Sequence, residues 1–380
     1  MPITFTNEQR AFANAIREFC AKECGTREQR DALTDGGAER HNQRIYEQMA
    51  DLGWLGIACP EEFGGGGGGM VDLCMFLEET SHGMAPIGGF SVSMIVAGAY
   101  ERFGTEAQKQ AMIGGIVAGN VASIAMSEPE AGSDVGNMKC RAVRANGAYV
   151  INGQKTWISE AHVATHILLI CRTNLTDSKH EGLTMLEVPA DTNGIEIRPI
   201  PTMGGKIVND VFFSDCRVDA DAVVGIDGKA WPQLMTGLNV ERLILAASII
   251  GEARRAFEDL LRYVTERVQF GRPIGSFQSL KHRIADLATE LECARLLCYD
   301  VARAVDADPG RLFAREASMA KLKCTEVAKK LTLEGMQMMG GYGYATEYDM
   351  ESHVRRALAS TIYGGTSEIQ REVIARTYGL

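Results

Sequence analysis

Glu241 stands where a carboxylate could work as a base. It precedes Arg242 and the longest largely apolar run of the chain, Leu243 to Ile250, in a segment of helical rhythm. Burial beside such a run raises the pKa of a carboxyl group, as a proton acceptor working near neutrality requires. Other residues suit the holding of an anion or a flat ring. Paired glycines at Gly340-Gly341 let a backbone approach a phosphate closely. A helix start at Thr366 leaves free N–H groups pointing at an anion. The Arg267 guanidinium offers the planar, two-point hydrogen bonding that a pyrophosphate accepts. Trp157 offers an indole for offset stacking, worth about 0.5–1.5 kcal/mol beyond burial.

Metal and disulfide chemistry is not supported. His162 and His166 are four residues apart, but their segment leads into a strand, and the other histidines show no paired metal-ligand spacing. The ten cysteines are scattered without a C-x-x-C pair, which suits free buried thiols rather than a bridged scaffold or a zinc site. Six consecutive glycines, Gly64 to Gly69, are not followed by the Lys-Ser/Thr of a phosphate loop. They read as a flexible surface turn.

With 380 residues the chain can form one large or two to three ordinary domains. Apolar residues at 46% and charged residues at 23% make an ordinary globular balance. A net charge of −10 argues against nucleic acid as a partner, while leaving room for a local basic pocket. The Leu243–Ile250 run is far short of the ~18 apolar residues that cross a bilayer, so no membrane association is expected. Met1 to Thr6 carries neither a secretory nor a transit pattern and reads as the start of a cytoplasmic protein.

Three zones position these residues. The expected architecture is α+β and multidomain: an N-terminal helical domain (1–119), a middle antiparallel β-barrel or sandwich (120–227) and a C-terminal helical bundle (228–380). Asn7 is a plausible cap before an apolar rhythm at Phe12, Ala15, Ile16 and Phe19, and further helices are expected over about 40–52, 71–83, 88–103 and 105–118. Short β-rich segments follow at Arg141–Val143, Ala148–Ile151, Ile167–Cys171, Thr184–Val188, Ile195–Pro199 and Val211–Phe213. Asn146-Gly147, Asn152-Gly153 and Asn193-Gly194 suit tight turns between them. Long helices are then expected over about 231–266, 277–306, 310–339, 348–361 and 366–377, which together make a bundle.

Composition and periodicity do not name a cofactor; four local motifs do. They are Met126-Ser127-Glu128-Pro129-Glu130-Ala131-Gly132-Ser133-Asp134; Gly153-Gln154-Lys155-Thr156-Trp157-Ile158-Ser159; Arg267-Val268-Gln269-Phe270-Gly271-Arg272-Pro273-Ile274; and Gln337-Met338-Met339-Gly340-Gly341-Tyr342-Gly343 with Gly365-Thr366-Ser367-Glu368. In this order, over essentially the whole chain, they resemble the acyl-CoA dehydrogenase family. The resemblance implies FAD held between the β-domain and the C-terminal bundle. Trp157 would lie against the isoalloxazine, and Met126, Ser127, Ile158 and Ser159 would flank the flavin. Arg267 and Gln278 would reach the FAD of a neighbouring subunit, Phe270 would be a further cofactor contact, and Gln337 to Gly341 with Thr366, Ser367 and Glu368 would supply the remaining dinucleotide contacts. Shared cofactor contacts imply a homo-oligomer, a dimer of dimers.

The resemblance departs at one telling place. Many members carry the catalytic Glu directly before Gly-Thr-Ser, where this chain reads Ile362-Tyr363-Gly364-Gly365-Thr366. Gly364 cannot accept a proton. A second arrangement, resembling the isovaleryl- and long-chain-type enzymes, places the Glu in the first bundle helix, and Gly237-Leu238-Asn239-Val240-Glu241-Arg242-Leu243 matches it. Glu241 is then the base, and the Gly364 N–H donates to the thioester carbonyl. Ser133, Asn239, Arg242 and Gly365 occupy substrate-gripping positions, with Asn239 where Asp is more usual and Glu160 where Asn is common. The implied reaction is α,β-dehydrogenation of an acyl-CoA to the trans-2-enoyl-CoA, with an electron-transfer flavoprotein as acceptor. A dehydrogenase of a carrier-protein-tethered acyl or aminoacyl group, a flavin monooxygenase of the same fold, and a non-catalytic FAD-binding subunit of a hetero-oligomer remain as alternatives.

Overall fold

In the computed structural model the described residues are 3–380, apart from the side chains of residues 238 and 239. Among them, α1 (Asn7–Cys24), α2 (Arg27–Leu33), α3 (Gln43–Asp51), α4 (Met70–His82), α5 (Gly89–Phe103) and α6 (Glu106–Val117) come first. The strands are β1 (Ala122–Ala125), β2 (Arg141–Ala145), β3 (Ala148–Ser159), β4 (His166–Arg172), β5 (Leu183–Pro189), β6 (Ile195–Thr202), β7 (Gly205–Asp219) and β8 (Val223–Val224). The chain continues with α7 (Ala230–Glu266), α8 (Gln278–Ala307), α9 (Ala314–Met339), α10 (Gly341–Tyr344), α11 (Met350–Ser360) and α12 (Ser367–Arg376). Helices, strands and helices thus follow one another as the zones require.

Local chemistry sets the helix ends. Thr6, not Asn7, caps α1: its hydroxyl accepts from the Gln9 N–H at 3.1 Å while the Gln9 side chain accepts from the Thr6 N–H, a reciprocal pair that satisfies two orphan donors. Thr105 and Gln108 do the same for α6. At α4 the Asp72 carboxylate accepts from the Gly69 N–H at 3.0 Å, and a distant carboxylate serves the next two N–H groups. Asp306 accepts from the Met70 and Val71 N–H groups at 2.5 and 3.0 Å. The ninth helix starts at Ala314 rather than 310, because Pro309 and Gly310 keep the preceding residues out of the helical region.

Two compact units emerge. One comprises the residues up to Ala32, Gly69–Ala85 and Asn239–Leu380. Its core is lined by Leu243, Ile244, Ile249, Ala253 and Leu260 of α7, Leu287, Leu291 and Ala294 of α8, and Ala317, Cys324 and Val327 of α9. By length and composition α7 would pass for a membrane span, but these apolar residues are buried in the bundle. A buried carboxylate ties three helices together. Glu78 accepts from Arg254 Nη1 at 2.7 Å, Arg295 Nε at 2.6 Å and Tyr299 Oη at 2.5 Å, partners without which a buried charge is strongly destabilising.

The other unit comprises Leu33–Gly68 and Pro86–Leu238 and holds the sheet. Its strands run in the order β6-β7-β3-β2-β4-β5-β8, with β1 joined to β4. Most pairs are antiparallel, but β1 and β2 both pair with β4 in parallel. Of the expected antiparallel barrel or sandwich, the closed-barrel form is not found: the sheet is open and mixed, and β6 and β8 end the order without pairing to each other. The physical reason lies in β4, whose Ile167 to Cys171 are all buried. Coverage on both faces is what a parallel neighbour accompanies.

Turn chemistry is mixed in its outcome. Asn146-Gly147 closes the two-residue β2–β3 hairpin with both residues at positive φ, and Gly194 turns the chain into β6. Asn152-Gly153 makes no turn. β3 runs through it to Ser159 with a register shift against β7 between Ile151 and Gly153, so the glycine serves a bulge. Nor is the six-glycine run a flexible turn. Gly66, Gly67 and Gly68 donate to the carbonyls of Gly56, Cys59 and Ile57 at 2.8–2.9 Å. A Cβ on Gly65 would stand 2.1 Å from the Cys59 oxygen, so the glycines permit close backbone packing. Nine of the ten cysteines are buried and all are free.

Candidate active site

The α7 helix carries Glu241 to the turn that follows α11. A Cβ built on Gly364 would stand 3.8 Å from Glu241 Oε1 and 2.1 Å from Leu245 Cδ1. The two sequence-nominated positions, 123 residues apart, therefore share one point in the first unit. Gly364 has φ 61° and Gly365 φ 81°, the left-handed region that costs an L-residue roughly 1–2 kcal/mol. Both the conformation and the tip of Leu245 thus disfavour a side chain at 364. The Glu241 carboxyl is pushed above its ordinary value, chiefly by burial, while Arg242 and Lys321 pull it down.

The turn is held by its carbonyls. Gln370 Nε2 donates to the Gly364 and Gly365 oxygens, each at 3.0 Å. Lys321 Nζ donates to the Ser360 and Gly365 oxygens at 3.0 and 2.8 Å. Among the described residues neither the Gly364 nor the Gly365 N–H has an intramolecular acceptor, so both remain able to donate to a ligand. Lys321 and Gln370 were not nominated from the sequence. The signal for Lys321 was present: it falls on the same stripe of α9 as Ala317, Cys324 and Ala328, where a lysine has no reason to be unless paired.

In the sheet-bearing unit the nominated residues form a second group. β3 skips pairing between Lys155 and Ile158, and in that irregularity Trp157 takes φ 62° with its indole 59% exposed. A large apolar ring held outward in a strained conformation suits a planar ligand. Ser127 lies alongside, its carbonyl accepting from the Thr156 N–H at 2.9 Å. Buried Lys155 fixes the same stretch, donating to the Met126 oxygen at 2.9 Å and to Glu128 at 2.8 Å. Ile158 is buried, and the Ser159 carbonyl accepts from Ser123 Oγ at 2.7 Å.

Glu160 follows at φ 54° and is 1% exposed. Neither carboxylate oxygen has a hydrogen-bond partner among the described residues. His162 Nε2 lies 3.9 Å away. Burial pushes the Glu160 carboxyl up to about 8, with Arg40 opposing and Glu39 adding to the shift.

Most of the remaining nominated residues line two grooves of the first unit. Arg267, Phe270, Met338, Met339, Gly340 and Gly341 border one of about 700 Å³. Arg267 stacks over the Tyr342 ring at 5.1 Å, and Phe270 is 94% exposed. Gly340 adopts φ 62°, ψ −140°, a region only glycine enters readily, and nothing lies within 4 Å of a Cβ on Gly340 or Gly341. An open backbone beside a guanidinium fits a pyrophosphate-bearing group. Gln337 and Gln278 do not line this groove; Gln278 meets His282 at 3.4 Å. Thr366, Ser367 and Glu368 border a separate groove of about 580 Å³ with Lys329 and Lys330, and Thr366 caps α12. Arg242 is buried and Ser133 exposed. The Asn239 side chain lies outside the described residues.

Within the first unit, a buried carboxylate beside free N–H donors and an arginine-glycine groove suit an oxidoreductase that handles a phosphate-bearing group; the sheet-bearing unit by itself offers an outward indole suited to a flat ring. The comparisons agree. Models of the acyl-CoA dehydrogenase N-terminal, middle and C-terminal domains match residues 6–120, 123–216 and 228–379. The chain belongs to the acyl-CoA dehydrogenase family, whose cofactor is FAD. It is 34% identical to a probable acyl-CoA dehydrogenase, YngJ, of Bacillus subtilis, over 99% of both chains. It is 32% identical to the mitochondrial isovaleryl-CoA dehydrogenase of Solanum tuberosum, over 98% of this chain and 91% of that one. The crystal structure of an acyl-CoA dehydrogenase from Geobacillus kaustophilus superposes with a TM-score of 0.94 at 31% identity, covering all of both chains.

Proposed function

We propose that this chain oxidises an acyl-CoA at its α and β carbons, with Glu241 as the base. The observation that carries the reading is the meeting of Glu241 with the side-chain-free turn at Gly364. Glu241 takes the α-proton, the C–H electron pair becomes the new π bond, and the product is the trans-2-enoyl thioester. The Gly364 N–H donates to the thioester oxygen as negative charge develops there, a contact worth about 2.7–4 kcal/mol per donor. When bound, FAD supplies the acceptor for the β-hydride. Burial supports the role of Glu241, because a carboxyl whose pKa is raised holds an abstracted proton more firmly.

Trp157, Ser127 and Ser159 would hold the flavin ring, with Met126 and Ile158 beside them. Arg267 and Gln278 would serve the FAD of a neighbouring copy in a dimer of dimers, with Phe270 a further cofactor contact. Gln337 to Gly341 and Thr366 to Glu368 would take the rest of the dinucleotide, and Ser133, Asn239, Arg242 and Gly365 the thioester carrier. An electron-transfer flavoprotein is the expected oxidant. The three family domains would be residues 1–119, 120–227 and 228–380.

A dye-linked assay across straight, branched and aromatic acyl-CoAs, with carrier-protein thioesters in parallel, tests this. Turnover on CoA thioesters should fall by about 10²–10⁴ in Glu241→Gln while the flavin absorbance is retained. Undiminished turnover in that variant would remove Glu241 from the reaction.

A further inference from the structure

Lys321 is 0% exposed, yet among the described residues no carboxylate lies within ion-pair distance of it. Its recorded polar partners are two neutral carbonyls, those of Ser360 and Gly365, with the Tyr363 ring 5.9 Å from Nζ. An ammonium buried in this way is costly unless something else depends on it. A methionine would fill the stripe between Ala317 and Cys324 at less cost. Two features of the surroundings say what depends on it. The carbonyls it grips flank Gly364, and the carboxyl that acts on its charge most strongly is Glu241.

We propose that Lys321 is a positioning residue for the reaction: its ammonium fixes the Gly364-Gly365 turn and holds the Glu241 carboxylate ionised. The inference rests on the reading of Glu241 as base. It assigns one buried cation to both halves of the chemistry, the proton acceptor and the carbonyl-binding turn. The groups that bear on the Glu241 charge are Arg242 on its own helix and Lys321 on α9. Glu368, on α12, acts on Lys321 in turn. Lys321 and Glu241 act reciprocally: burial lowers the ammonium to about 8 and the carboxylate counters that shift, while burial raises the carboxyl and the ammonium counters that. The turn-holding and the charge are separable, because Gln370 grips the same turn through neutral N–H donors.

The test compares Lys321→Gln, Lys321→Met and Gln370→Met holoenzymes. Two readouts are used: the pH dependence of kcat/KM, and infrared titration of the Glu241 carboxyl, assigned by its loss in Glu241→Gln. Both lysine variants should move the acid limb and the infrared titration together to higher pH, with kcat/KM about tenfold lower on the acid side. Lys321→Gln retains N–H donors and gives the charge effect alone even if Lys321→Met does not fold. Gln370→Met should lower kcat without moving the limb. The proposal is overturned if the lysine variants leave the infrared titration in place while Glu241→Gln abolishes turnover, a result that would spare the base. Persistent turnover in Glu241→Gln would instead sink the base, and the infrared titration would still read whether Lys321 governs that carboxyl.

Discussion

Replacing Glu160 by Gln should stabilise the protein increasingly as the pH rises. The carboxyl is 1% exposed, without a hydrogen-bond partner among the described residues, and burial raises it from 4.5 to about 8. Below about 4.5 it is neutral in both folded and unfolded chains. Between 4.5 and 8 the unfolded chain releases the proton and the folded one keeps it, so stability is lost as the pH rises. Above 8 the loss is complete. At about 1.4 kcal/mol per pKa unit, the shift corresponds to at most about 5 kcal/mol, and local relaxation would leave about 2–5 kcal/mol. A buried glutamine amide without partners costs about 1–3 kcal/mol at every pH, which offsets the curve without tilting it. The diagnostic quantity is therefore the slope of the difference, not its sign at one pH. Urea unfolding of wild type and Glu160→Gln at about pH 5, 6.5 and 8, with saturating FAD, reads it. The variant should gain steadily on the wild type across that range. A constant gap would show that Glu160 titrates normally and that its enclosure has been misjudged.

Two further outcomes follow from the site. Gly364→Ala places a Cβ 2.1 Å from Leu245 Cδ1 at φ 61°, so it should cost about 1–3 kcal/mol of stability. It should also lower kcat/KM about 10²-fold by shifting the turn; Leu245→Ala should relieve part of the stability loss, read by thermal melts and dye-linked kinetics. Trp157→Ala should leave the circular dichroism unchanged, because the indole is 59% exposed. It should weaken FAD binding by the stacking contribution, about 0.5–1.5 kcal/mol or roughly 2–13-fold in Kd, measured by recovery of flavin fluorescence on dilution.

Much of the plan was legible in the residues. The apolar run after Glu241, the glycines before Thr366 and the change from helical to alternating rhythm near residue 121 announced the helix–strand–helix order and the point of departure at Gly364. Local pattern suffices there because helix period, hairpin glycines and threonine caps act through neighbours in the chain. Long-range pairing was not legible. Asn152-Gly153 has the composition of a turn, yet β3 continues through it because β7 supplies a partner on the far side. The six glycines have the composition of a floppy loop, yet they lie flat against residues 56–59.

By itself, then, the sequence determined which residue types are available: a carboxylate on an apolar helix, a glycine where a proton acceptor cannot stand, an indole in a β-rich motif. Only the tertiary structure decided that Glu241 and Gly364 meet, that the tip of Leu245 crowds the space beside Gly364, and that Lys321 and Gln370 grip the turn. Apart from the local grip of Gln370, those contacts join segments from about 40 to more than 100 residues apart. Their distances follow from how helices pack, a property of the whole core rather than of any stretch of the chain.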